Sequence, residues 1–174
     1  MTVRLYRAWN GPAPTTAAQA AVTTGTAIKT MLQVRTGTTF DITIMAWGFS
    51  MDGSAAAAGV QWELVDTDTV GATGLTAHIA SGAGRSIHAV NNPTGPTSGV
   101  QVGTGNTGFS TTAPTEGSIT TVRTIDSAFI QPTGAYVHRW PLGQEPIIGV
   151  DKFVRIRVKA ASAVNAICWI DWSE

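Results

Sequence analysis

Few side chains in this 174-residue chain could do chemistry: it holds three histidines and one cysteine. His78, His88 and His138 stand far apart, and no two have the His-x-His or i, i+4 helical spacing that turns two imidazoles to one metal. They read as isolated histidines in or beside strands. Cys168 has no second cysteine at zinc spacing or within reach of an internal disulfide, so it reads as a small buried thiol in a strand. Asp66 and Asp68 form an Asp-x-Asp pair but lack the further oxygen donors that Ca²⁺ requires, which leaves a solvated turn. Glu63, Glu116, Glu145, Asp41 and Asp151 include the residue types of a glycosidase, yet nothing pairs two of them. The run from Gly103 to Gly108 contains Gly-x-Gly-x-x-Gly but neither follows a clear strand nor opens a helix, so the match is coincidental. The expectation is a protein that is not an enzyme and has no cofactor, metal or catalytic residue.

Six tryptophans, Trp9, Trp47, Trp62, Trp140, Trp169 and Trp172, are the more informative set, because flat aromatic faces stack on sugars and anchor protein interfaces. Trp47 and Trp62 fall inside strands and read as core. Trp9, in an uncharged segment, and Trp172, near the end, are the candidates for contact with a partner.

The elements that must position these residues are strands. Apolar and alternating runs predict eight principal strands near Ile28 to Arg35, Phe40 to Met51, Val60 to Asp66, Leu75 to Ala80, Ile119 to Ile125, Ala135 to Pro141, Phe153 to Ala160 and Ala166 to Trp172. Val3 to Ala8 reads as a short extra strand. In Phe153 to Ala160, Val154, Ile156 and Val158 alternate with Arg155, Arg157 and Lys159, the pattern of a half-buried antiparallel strand. Ala166 to Trp172 is apolar on both faces, which predicts cover on both sides by a loop or another subunit. Helices of ordinary length are not predicted; a short one around Thr16 to Ala21 is the weak exception. Strands punctuated by Gly and Pro, without βαβ alternation, predict a single all-β domain over residues 1–174, a jelly-roll-like antiparallel β-sandwich.

Two stretches lack charge altogether. Ala8 to Ile28 lies mostly in residues 1–27, predicted to be an extended N-terminal arm ahead of a jelly-roll core over 28–174. The other falls in a long Gly/Thr/Pro-rich loop over 86–115, whose Val100, Val102 and Phe109 predict packing on a neighbour. Trp9, Pro12, Pro14, Val100, Phe109 and Trp172 are therefore the predicted partner-binding residues.

Composition narrows the partners. Eleven basic and eleven acidic residues cancel, and charged residues make up 13% of the chain, about half the usual share of roughly 25%. Such a surface has no electrostatic attraction for nucleic acid or an anionic membrane. With so few charges to oppose association, much of it is expected to be covered by partners. The start holds Arg4 and Arg7 without an apolar core of signal-peptide length, and no apolar run reaches the roughly 18 residues of a membrane span, so neither secretion by that route nor membrane insertion is expected.

Three segments, VRLYRAWNGPAPTTAA, TTFDITIMAWGFSMDGSAAAAGVQWELVDTD and WPLGQEPIIGVDKFVRIRVKAASAVNAICWIDWSE, together resemble small β-rich structural proteins found on the capsids of tailed phages. The resemblance implies a capsid decoration, or cement, protein that binds the major capsid protein on the outside of the virion. It also implies synthesis in the host cytoplasm and a homo-oligomeric state, with a trimer favoured. It carries no catalytic motif and no defined set of binding residues. The alternative is a carbohydrate- or receptor-binding module of a head fibre or tail tip. A single-jelly-roll coat protein is disfavoured, because only Arg4 and Arg7 stand near the start to neutralise packaged nucleic acid.

Overall fold

The computed structural model describes residues 3–13, 17–54, 57–80, 86–92 and 94–174. Among them lie twelve strands and no helix, and so no helix long and apolar enough to cross a membrane. The principal strands are β1 (Leu5–Trp9), β3 (Lys29–Arg35), β4 (Ile42–Met51), β5 (Val60–Asp66), β8 (Arg123–Ile130), β9 (Ala135–Arg139), β11 (Phe153–Ala160) and β12 (Asn165–Ser173). Short pieces complete the set: β2 (Val22–Thr23), β6 (Thr76–Ala77), β7 (Gly108–Phe109) and β10 (Ile147–Ile148).

All pairings are antiparallel, and they build two sheets. One runs β1-β12-β4-β9, with β2 continuing the β1 edge and β10 the β9 edge; the other runs β6-β7-β3-β11-β5-β8. Strands that follow one another in sequence mostly change sheet, so each principal sheet interleaves early and late strands. This is the connectivity of a jelly roll. The all-β sandwich read from the sequence is the observed fold.

Period-two patterning explains the layers. Tyr6 and Ala8 from β1, Trp47 and Phe49 from β4, and Cys168, Ile170 and Trp172 from β12 meet Leu32 and Val34 from β3, Trp62 and Leu64 from β5, and Val154, Ile156 and Val158 from β11 in one core. Phe49 stacks on Trp62 across it at 4.2 Å between ring centroids. The expected burial of Trp47, Trp62 and the Cys168 thiol holds, and burial pushes the thiol's pKa up.

Several boundaries differ from the expectation. The short extra strand expected over Val3 to Ala8 is present as Leu5–Trp9, which pairs with β12 over its whole length and supplies core residues, while Leu75 to Ala80 contracts to the two residues of β6. Ile119 to Ile125 moves C-terminally to Arg123–Ile130, because β5 needs partners from Ile130 back to Arg123 and the Ile125-Asp126-Ser127 stretch conceals the alternation. Residues 17–21 form no helix. Past β1, Asn10 continues the ladder with its side chain, donating to the Ala166 carbonyl (3.0 Å) and accepting from the Cys168 amide (2.9 Å).

The described part of the 86–115 loop, predicted to pack on a neighbour, packs on its own sandwich. β7 joins the edge of β3, the Val90 amide donates to the Leu5 carbonyl at 2.6 Å, and Ile87, Val100 and Phe109 enter the core. On the outer face of β3 and β11, Gln33 donates to the Ala72 and Asn106 carbonyls and Arg155 to the Val70 and Glu116 carbonyls. These contacts change the expected solvent face of β11, since Arg155 is fully buried, with Thr30 and Glu116 as partners.

Candidate functional site

The six predicted contact residues do not converge. Val100 (5% exposed), Phe109 (4%) and Trp172 (0%) belong to the core and are corrected as contact residues. The loop folds back between the two sheets at the β1–β3 side, and Trp172 points inward, where it stacks on Tyr6 at 6.1 Å. Pro12 is exposed, Pro14 lies outside the described residues, and Trp9 is half-buried on the outer face of β1.

What the structure assembles instead is the outer face of the β1-β12-β4-β9 sheet. Pairing register places Trp9 opposite Trp169, Trp169 opposite Gly48, and Gly48 opposite Val137, one row across four strands. Gly48 is required there: a Cβ would stand 2.5 Å from Cζ2 of Trp169 and 2.7 Å from the Tyr136 carbonyl, so the indole lies down over the bare backbone. Arg7 sits above the Trp169 ring at 5.9 Å, within cation–π range. Its guanidinium is locked by two bonds to Asp171, Nε to Oδ1 at 2.5 Å and an Nη to Oδ2 at 2.7 Å, and Asp171 is itself buried. The bond to Asp171 raises the Arg7 pKa. Ile167, half-buried, and Val137 and Ile147, exposed, extend an apolar surface along the same face. No strand or loop among the described residues layers over Trp169 and Val137. Trp169, like Trp140, was left unassigned by sequence reasoning. The available signal was the two-faced apolar pattern of β12, which correctly marked an outer apolar side.

A second arrangement lies where β8 of one sheet hands over to β9 of the other. Asp126 Oδ2 accepts from Trp47 Nε1 (2.9 Å) and the Tyr136 hydroxyl (2.9 Å) and lies 3.1 Å from His138 Nδ1. His138 packs on Trp140 at 4.6 Å. Burial, then the bond to Asp126, pushes the Tyr136 phenol up to about 12. An Asp–His pair can orient a general base, but among the described residues no serine, threonine or cysteine hydrogen-bonds to this imidazole. What the cluster does is tie the two sheets at their open edge.

The remaining chemical candidates are dispersed. Asp66 and Asp68 pair with Arg123 and Lys152, Glu63 with Arg157, and Asp151 with Arg35. Gly103 and Gly105, both at positive φ, make the turn that leads into β7. His78 is buried beneath Trp9, ring centroids 5.3 Å apart and edge-on, while His88 is exposed. Among the described residues no group of three or more His, Cys, Asp or Glu is placed to hold a metal ion.

No protein-family model, curated protein or solved structure matches the chain.

Proposed function

We propose that the chain is a structural protein of a virus particle, seated on the outside of a tailed-phage capsid, where it binds the major capsid protein and stabilises the shell as a homo-oligomer, with three copies favoured. The observation that carries the reading is the outward row Trp9-Trp169-Gly48-Val137, with Val137 exposed and the two indoles half-buried, on a rigid sheet. A flat apolar strip held by two packed sheets loses little conformational entropy when it docks, and aromatic anchors dominate interface energetics. The low charge of 13% fits a surface that spends its life covered. The sequence resemblance supplies the kind of particle.

The test is to count copies of this chain against the main shell protein in purified particles by quantitative mass spectrometry, with wild type and Val137→Lys supplied in trans. Copies in a fixed ratio to the shell that fall at least tenfold in the Val137→Lys particles support the proposal. Val137 is exposed, so its replacement leaves the core intact. A handful of copies per particle favours the second reading, a glycan- or receptor-binding tip, which the Trp169 platform over Gly48 also suits. Absence from particles removes both.

A further inference from the structure

Beside β1, at the margin of the proposed docking face, lies a cavity of about 350 Å³ that shares only Trp9 with the docking row. Its apolar wall is made by Trp9, Ala13, Ile79, Ile87 and Val90, and His78 also lines it. Cavities that hold small molecules run from about 300 to 1,000 Å³ and combine apolar walls with few polar groups. This one has that composition and lies at the lower end of that range.

Its polar residues are Arg7, His78, Ser86 and His88, of which His88 is exposed and His78 alone is buried. His78 is 3% exposed, and its Nδ1 lies 2.6 Å from the Gly11 carbonyl. A carbonyl only accepts, so Nδ1 carries the proton, with the Trp9 backbone adding to the hold on the ring, and Nε2 is left as the acceptor. Burial lowers the His78 pKa and keeps the ring neutral. Trp9 Nε1, at the rim, makes no hydrogen bond to a described residue and is a donor. Arg7 also borders the cavity, but its charge is already matched by two bonds to Asp171, so it offers little to an anion.

We infer that this cavity is a binding site for a small uncharged ring compound with one hydroxyl, a phenol in chemical class, whose ring packs against Trp9 and the aliphatic wall while the hydroxyl donates to His78 Nε2. Neither a sugar, which needs many polar partners, nor a carboxylate, which needs a free cation, matches these walls.

The experiment titrates the whole protein with 4-methylphenol, toluene, benzoate and methyl glucoside, and follows the Trp9 indole N–H cross-peak, assigned by Trp9→Phe, together with the His78 ring signals. The expected result is saturable movement of both with 4-methylphenol, at an affinity roughly tenfold above toluene, as one added hydrogen bond allows. Benzoate and the glucoside should bind more weakly than either. His78→Leu should make 4-methylphenol and toluene equal. Because that substitution touches a buried site, Val90→Trp, at an exposed position on the wall, provides a second check and should block both ligands while the other indole signals stay in place. No movement at Trp9, equal binding of toluene and 4-methylphenol by the wild type, or preference for benzoate or the glucoside would each overturn the inference. None of these outcomes depends on capsid binding, which the copy count tests separately.

Discussion

Asp126 shows how one side chain can hold several demanding partners at once. Its Oδ2 receives the indole N–H of Trp47, a residue with no exposure at all, and the hydroxyl of Tyr136. An indole buried without an acceptor would cost about 1–3 kcal/mol. The phenol gives this cluster a pH signature. Its pKa in the fold, about 12, stands above the ordinary 10.0, so the folded state keeps its proton where the unfolded chain has lost it. The stabilisation is complete below pH 10 and is lost as pH rises towards 12. Denaturant unfolding across that range should show wild type losing stability more steeply than Tyr136→Phe; parallel curves would remove Tyr136 as the cause. Gly48 makes a different demand, that of space. Gly48→Ala should cost about 1–3 kcal/mol by overpacking and should shift the Trp169 indole resonance, because the new methyl and the ring claim the same volume. A shift at another tryptophan with Trp169 unmoved would contradict the geometry.

At the level of elements, the first and last strands hold each other. β1 pairs with β12 from Leu5↔Ser173 to Trp9↔Trp169, its Tyr6 and Ala8 are core, and its Arg7 neutralises the buried Asp171. Removing residues 1–27 therefore strips an edge strand, opens the ladder of β12 and leaves a buried carboxylate without its cation. The expected outcome is an aggregated or unfolded product, measured by circular dichroism and size-exclusion chromatography; a monomeric, cooperatively melting deletion would show β1 to be dispensable. This departs from the extended arm that the sequence predicts ahead of a core over 28–174, because Tyr6 and Ala8 are themselves part of the core. On the opposite sheet, the outer side of β11 is covered locally. Glu116 accepts from both the amide and the hydroxyl of Thr30 (2.6 Å each) and pairs with Arg155, so the segment before β8 is pinned to the sheet by a buried ion pair. Burial lowers the Arg155 pKa to about 10, which leaves it charged at neutral pH.

Across the whole molecule, zero net charge and sparse ionic groups leave little long-range repulsion between copies. Most of the exposed large hydrophobics lie between Val122 and Val150, among them Phe129 at 74% and Leu142 at 95%. That stretch includes the open-edge strands β8 and β9, whose outer backbone groups have no strand beyond them. Self-association driven by such a surface should grow with concentration and change little between low and high salt, as sedimentation equilibrium would read directly. Dissociation by salt alone would mean that ionic contacts hold the copies together.

The amino-acid sequence by itself determined the class of the fold, most strand positions and the burial of Trp47, Trp62 and Cys168. Period-two alternation and Gly or Pro punctuation are local properties, and they survive in β5 and β11 with their predicted ends intact. It also marked β12 as apolar on both faces. Only the tertiary structure decided what each outward residue meets. Trp172 and Trp169, three positions apart, face opposite sides of one strand by simple alternation, but alternation does not say which side is core; pairing of β12 between β1 and β4 seats the Cys168, Ile170 and Trp172 side against the second sheet and leaves Trp169 on the outer face. Arg155 reads as solvent-facing until segments far away in the chain close over it. The row Trp9-Trp169-Gly48-Val137 draws on four strands from both ends and the middle of the chain. Its physical cause is non-local antiparallel register, which no single segment encodes.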